Sequence, residues 1–594
     1  MRSCADLESN VISIPTFARL GAKRSANRRP PARARFGSAL CLRLLLLLLP
    51  NTLCAETLAD AFLQAYFEQY PTQATAAGVY RHDGALDRLE PGEIEDWLKT
   101  VERFDRDAAE QQSECAFDDC VDLDVLRRQL ALERFELVAQ RRPQADPLFW
   151  AEALGRATLY QLLRDDRPER ERLDLAAQRV AKLPALAKLA MRSLTDVERI
   201  APQAAAEAAR RLRALAGFYR DGYRQADKRA AARRSGERAA VALETLATFC
   251  EQLSEKARGD FRLRDDYATR FRLGTALDTD VAEVLRMAHQ DLAEKREEAA
   301  AYARGIWPAL FDEPAPLDDR DVLRRAFAHI EAQRPATTAE LIEQYRADAA
   351  LAFEFARKHE VMTIPEPLSL YIDKAPAWLG GQSVGGVFAP GPFAAEADTL
   401  FLLPNIEDDA PEQAKARFFS AFNTGFNRMI VPHELVPGHY AQLKVAARQP
   451  RPIRSVFGDG VYTEGWGSFA ERLMLDLGWG GPPERLAHYK KQLENITRVI
   501  ADISVHTLAW DENQLTQFAT REGLMDAQFA SNLWRRAMFS SPQLTTYHLG
   551  YRDIQVLWQS WLSRRNANAP VREFVDAMLS EGAVPLAVYR RKLQ

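Results

Sequence analysis

The stretch VPHELVPGHYAQ, residues 431–442, places Glu434 beside His433 and sets a second histidine, His439, six positions after the first. A zinc-protease helix spaces its histidines four apart, H-E-x-x-H, which leaves them about 40° apart around the helix and able to share one ion. Six positions leave them about 120° apart on an ideal helix, too far to share it. The two additional residues are Pro437 and Gly438. Proline lacks the N–H of an interior helical hydrogen bond and clashes with the preceding turn, whereas glycine takes backbone angles that other residues avoid. A bulge at Pro437-Gly438 takes up the extra rotation and returns His439 to the side of His433. The stretch reads as H-E-x-x-H with a Pro-Gly insertion. With only nine histidines in the chain, chance would produce this pattern in roughly one such sequence in a hundred.

A zinc site needs a third protein ligand and a position left open for water. The stretch VYTEGWGSFAERLMLDLG, residues 461–478, has helical character and supplies Glu464 as that ligand. Glu471 lies two turns further along the same face, where it suits support of a ligand from behind. The expected centre is one Zn²⁺ per chain on His433, His439 and Glu464. Glu434, next to a ligand, is then the general base. An oxyanion needs donors besides the metal, and Tyr547, His548 and His506 are the candidates, with Gln543 a weaker one. Asp502, one turn before His506, is placed to orient its ring. His82, His289, His329, His359 and His488 are read as non-catalytic.

Outward from this site the chain divides. Residues 56–363 read as a helical lobe: LDLAAQRVAKLPALAKLAMRSL and PQAAAEAARRLRALAGFYRDGY repeat apolar residues every three or four positions, and TDVAEVLRMAHQDLAEKREEAAAYARGIW opens on a Thr or Asp cap. Residues 364–594 form the catalytic region. They begin with a Gly- and Pro-rich segment in which GGVFAP and TLFLLPN read as two short strands joined by a loop. Gly385, Gly386, Val387 and Phe388 on that edge are expected to offer backbone groups to a peptide by strand addition. Helices resume near Pro411.

Residues 1–55 have a different composition. A basic region is followed by SALCLRLLLLLLP and by Leu-Cys-Ala at 53–55, the layout of a cleavable secretory signal peptide. The apolar run is too short to span a bilayer, so no stable membrane insertion is expected. This segment carries nine Lys/Arg against two Asp/Glu, so the remainder carries a net charge of −11. That acidity argues against nucleic acid as a partner. Export predicts a periplasmic or secreted protein, in which either Cys115 and Cys120 close a small disulfide loop and leave Cys250 free, or all three stay as reduced thiols without a role. No Cys-x-x-Cys pair offers a thiolate zinc site.

HELVPGHYAQ, EGWGSFAERL, RVIADISVH (498–506) and SPQLTTYHLGY (541–551), with YPTQATAAGVYRHDGAL (70–86) upstream, together resemble the bacterial family known as domain of unknown function 885, grouped with the zincin-like metallopeptidases. The resemblance spans about residues 56–594. It implies a mainly α zincin-like fold, a helical lobe over a deep groove with a small β-hairpin or sheet beside the metal helix. It also implies His433, His439 and Glu464 as ligands and Glu434 as base, but supplies no substrate. The function expected is exported, zinc-dependent hydrolysis of peptide bonds in peptides. The alternatives are a metal-dependent amidase on a non-peptide substrate and a catalytically inert peptide-binding protein.

Overall fold

The computed structural model describes residues 56–375, 386–406, 409–565 and 569–593. The signal-peptide segment and Gly385 lie outside them. Helices fill most of the described chain on either side of a short β segment, and local chemistry sets many of their ends. Asp280 caps Val281–Leu310 by accepting from the Glu283 N–H at 3.0 Å, as the sequence predicts. Asn423 caps Thr424–Glu434 by accepting from Phe426 N–H at 2.9 Å, and Asp459 caps Gly460–Asp476 through Tyr462 N–H at 2.8 Å. Pro482 opens the long helix Pro482–Thr507, where proline's missing N–H costs no hydrogen bond.

The sheet has three strands: β1 (Leu370–Lys374), β2 (Gly386–Phe388) and β3 (Thr399–Leu403), in the order β1-β3-β2. β2 and β3 are the antiparallel pair expected from sequence, with Gly386 opposite Leu402 and Phe388 opposite Leu400. β1, which the sequence reading missed, runs parallel to β3 with Leu370 opposite Thr399. A parallel neighbour is reached through a long connection and leaves no hairpin turn in the sequence to betray it.

The hydrophobic core does not follow the boundary near residue 363. One large cluster joins Phe62, Trp97 and Phe104 from the start of the chain to Val284, Tyr345, Trp466, Ile500 and Tyr589. A second cluster, from Leu89 to Ala257, is built mainly on the helices Pro147–Arg156, Glu169–Ser193, Pro202–Gly217 and Ala230–Lys256. The N-terminal half is thus partly continuous with the site's own core and partly a separate helical layer. Cys115 and Cys120 are joined as a disulfide, and Cys250 is buried and free. No helix among the described residues is long and apolar enough to cross a membrane.

Candidate metal centre

The Leu-Val-Pro-Gly segment breaks the helix outright. The first histidine helix ends at Glu434 and a second begins at His439. Between them Leu435 (φ −117°, ψ −81°) and Gly438 (φ −74°, ψ −142°) leave helical geometry. A side chain on Gly438 would fall 1.9 Å from the His433 carbonyl oxygen and 2.2 Å from that of Pro432, so only glycine lets the chain double back this tightly. The result is the juxtaposition that the motif demands, by a break rather than the expected bulge. The two imidazoles lie 4.7 Å apart, centre to centre, at 80° to each other.

Both rings turn Nε2 toward one oxygen. Glu464 Oε2 is 3.7 Å from His433 Nε2 and 3.6 Å from His439 Nε2. Ligands about 2.1 Å from a tetrahedral zinc lie roughly 3.4 Å from one another. The observed separations therefore fit one ion with small adjustments. The far side of each ring is held. His433 Nδ1 pairs with Glu471 Oε1 at 2.8 Å, and His439 Nδ1 faces Gln442 Oε1 at 3.2 Å. A carboxylate behind a histidine fixes its tautomer and raises its basicity as a ligand. Glu471 has no exposed surface and takes two further partners that the sequence reading did not assign: Lys491 Nζ at 2.7 Å and His488 Nδ1 at 2.9 Å. Burial works against its ionisation, but Lys491, His433 and His488 outweigh burial and hold its carboxyl well below the usual range. Glu464 behaves alike: burial raises its pKa, His433 and His439 lower it, and the histidines prevail. The Glu464 carboxylate is thus held ionised between the two Nε2 atoms, with ionised Glu471 behind His433.

The carboxylate helix reads almost residue by residue. Glu464 is the third member of the cluster. Gly465 allows backbone contact with Gly550, since a Cβ there would lie 2.3 Å from the Gly550 carbonyl carbon. This brings the helix Gln543–Arg564, which carries Tyr547, against Glu464's helix. Trp466 donates from its indole to the Pro437 carbonyl at 2.8 Å and so anchors the break. Gly467 leaves room for the His433 ring, which a Cβ would approach to 2.6 Å.

His433, Glu434, His439 and Glu464 all line one cavity of about 720 Å³. Tyr547, Gln543, Gly386 and Val387 line it too. Tyr547 accepts a hydrogen bond from Gln543 Nε2 at 2.7 Å. Burial, and then the Glu464 charge, raise its pKa, so the phenol keeps a proton to donate. The lining also includes Tyr66, Thr72, Gln73, Ala76 and Ala77 from the N-terminal region. That segment is clamped by Arg164, whose guanidinium donates to the carbonyls of Thr75, Ala76 and Ala389, and by Thr72 and Thr75, which bond to Asp87 and Asp83. Its motif is thus architectural: it seats one cavity wall against the residues that follow β2.

Other expected residues stand elsewhere. His506 does not line the cavity. Its Nδ1 accepts from Leu263 N–H at 3.1 Å, its Nε2 donates to the Ala537 carbonyl at 2.8 Å, and burial pushes its pKa down to about 4. Both ring nitrogens serve the backbone, so His506 is a packing histidine. Asp502 does not orient it. Its carboxylate accepts from Tyr267 Oη at 2.8 Å and Ser541 Oγ at 2.7 Å. His548 pairs with Asp291 at 2.8 Å and does not line the cavity. Phe388 packs with Ala375 and Leu402 in a small separate cluster, so the strand presents Gly386 and Val387 to the cavity. Lys491 and His488 carried no recognisable signal: each is a single residue on a helix 50 or more positions from His433.

Two solved structures share this architecture. A candidate lipoprotein of unknown function from Shewanella oneidensis superposes with a TM-score of 0.74 at 21% identity, covering 90% of this chain and 98% of that one. A candidate lipoprotein from Colwellia psychrerythraea gives 0.73 at 14% identity, with the same coverages. No curated protein matches the sequence. The family described as bacterial protein of unknown function (DUF885) matches residues 71–593, nearly the whole described chain, and this protein belongs to it.

Proposed function

We propose that this chain is an exported zinc-dependent metallopeptidase of the zincin-like type, hydrolysing peptide bonds in peptides. The observation that carries the reading is the convergence of His433, His439 and Glu464, whose ligand atoms lie within 4.8 Å of one another, in the cavity that also holds Glu434. Two neutral imidazoles and a carboxylate are the donor set of a catalytic zinc site, which leaves a coordination position open. When bound, Zn²⁺ supplies Lewis acidity, polarising an amide carbonyl and acidifying water. Glu434 takes the proton from the attacking water and delivers it to the leaving amine. Tyr547 donates its O–H toward the oxyanion as the carbonyl becomes tetrahedral. Glu471 and Lys491 keep the His433 ring aimed at the cluster. Gly386 and Val387, on an end strand of the sheet, offer main-chain groups along which an extended peptide can lie.

The walls contributed by the N-terminal helices favour short peptides over folded chains. Export accords with the basic and leucine-rich layout of residues 1–55 and with the Cys115–Cys120 disulfide, a bond that persists in oxidising compartments. The two structural relatives, described as candidate lipoproteins, are in keeping with export.

A quenched-fluorescence peptide library tests the reading. Zinc-loaded protein should cleave a subset of peptides, lose that activity to a chelator and regain it with zinc. Turnover of non-peptide amides alone would indicate an amidase. Peptide binding with no turnover in any metal form would indicate an inert binding protein.

A further inference from the structure

One face of the long helix Pro482–Thr507 looks into the cavity through Ala487, Lys490, Lys491, Glu494 and Arg498, at the three- and four-residue spacing of a single helical side. The charges on this face differ in what they meet. Lys491 is engaged by Glu471 and His433. Lys490 pairs with Glu331 at 2.7 Å and stands 3.8 Å from Glu494. Arg498 meets no acid: among the described residues no carboxylate lies within ion-pair distance of it. Its Nη1 donates to Asn495 Oδ1 at 2.9 Å, and its guanidinium stands 5.1 Å from the Tyr547 ring centre. The other cavity arginines have protein partners. Arg164 is bonded to three carbonyls, Arg156 faces Asp87 at 4.0 Å, and Arg536 donates to Gln543 at 3.0 Å.

A half-buried guanidinium without a counter-ion, standing over the Tyr547 ring and tethered to Asn495, is able to receive a planar anion through paired N–H donors. Building on the peptidase reading above, we propose that Arg498 is the receptor for a substrate carboxylate, supplied by the C-terminus of a peptide or by an acidic side chain near the scissile bond. Lys491 marks the level of the metal cluster on this helix. Arg498 lies seven residues beyond it, about 10 Å along the axis. An extended peptide covers about 3.4 Å per residue, so the carboxylate sits within roughly three residues of the bond to be cut. The preferred substrates are therefore short peptides, or the ends of longer ones, carrying an anion at that distance.

The test measures binding by calorimetry on the zinc-loaded full chain carrying Glu434→Gln, so that ligands are not consumed. The probes are tetra-alanine as free acid, the same peptide as C-terminal amide, and Ala-Ala-Ala-Asp amide. The free acid should bind at least tenfold more tightly than the amide. Recovery of affinity in the aspartyl amide assigns the side-chain source, and its absence assigns the C-terminus. Arg498→Gln should reduce every anionic probe to the affinity of the amide, while Arg498→Lys keeps part of the preference. Equal affinity for acid and amide in the Arg498 protein, a uniform loss for all three probes in Arg498→Gln, or no binding of any probe would overturn the proposal. The two readings fail separately. Hydrolysis of acid and amide at equal rates retains the peptidase and removes the carboxylate receptor. Carboxylate-selective binding without hydrolysis under any metal condition does the reverse.

Discussion

Glu434 and Glu471 sit on either side of His433 in function, and single-atom changes separate their roles. Glu434→Gln keeps the shape and removes the basic carboxylate, so turnover should fall by about 10²–10⁴-fold while bound zinc is retained. Unchanged turnover with zinc confirmed would show that another group is the base. Glu471→Gln leaves the metal-facing atoms in place but weakens the hold on His433 Nδ1, so zinc affinity, measured by competition with a chelator, should fall about 10–100-fold. Glu471 was legible from sequence because it shares a helix with Glu464 at a two-turn spacing. Lys491 and His488 were not, because tertiary packing alone brings them to Glu471. The Asp502–His506 pair misled for the opposite reason. An i,i+4 spacing suggests a dyad, but Tyr267, Ser541, Leu263 and Ala537 take the hydrogen bonds of both residues. Asp502 carries a consequence of its own. Burial pushes its pKa up to about 6, so the folded protein keeps a proton that the unfolded chain releases near pH 4. Its contribution is therefore most favourable below about pH 4 and is lost as pH rises toward 6. Asp502→Asn removes that loss while keeping an acceptor for Tyr267 and Ser541. Thermal unfolding should show the variant gaining on wild type as pH increases from 4 to 7, and parallel profiles would contradict the assignment.

At the scale of the element, the break between the two histidine helices decides whether the motif is a site. The sequence located it at Pro437-Gly438, because those residues disfavour helix for independent reasons. A full interruption was not legible, since it depends on Trp466 donating to the Pro437 carbonyl and on close packing around Gly438. Deleting Pro437-Gly438 restores the H-E-x-x-H spacing, yet the deletion should lose zinc and unfold at lower temperature, because Glu464 and Trp466 are placed for the break. Retained zinc at wild-type affinity would mean that the ligands tolerate a continuous helix. The β segment shows the same division. β2 and β3 carried hairpin signals, whereas β1 is a parallel strand whose partner lies beyond the next strand in sequence.

Over the whole molecule, the helical content and the region that brings His433, His439 and Glu464 together were legible from periodicity and motif spacing. The partition of the core was not. Patterning shows that a face is apolar without showing what covers it, and here Phe62 and Trp97 share a core with Trp466 and Ile500 while the helices between residues 147 and 257 build their own. The N-terminal motif likewise reveals its purpose only in three dimensions, where Arg164 ties it to Ala389 in the cavity wall. The whole arrangement serves one claim, that His433, His439 and Glu464 hold a single zinc. Elemental analysis of the purified chain beside its His439→Ala variant tests this most directly. The account predicts about one Zn²⁺ per chain in the wild type, from the three-ligand geometry, and a large loss in the variant at unchanged helical content. Full zinc occupancy in folded His439→Ala would remove His439 from the centre and contradict the account.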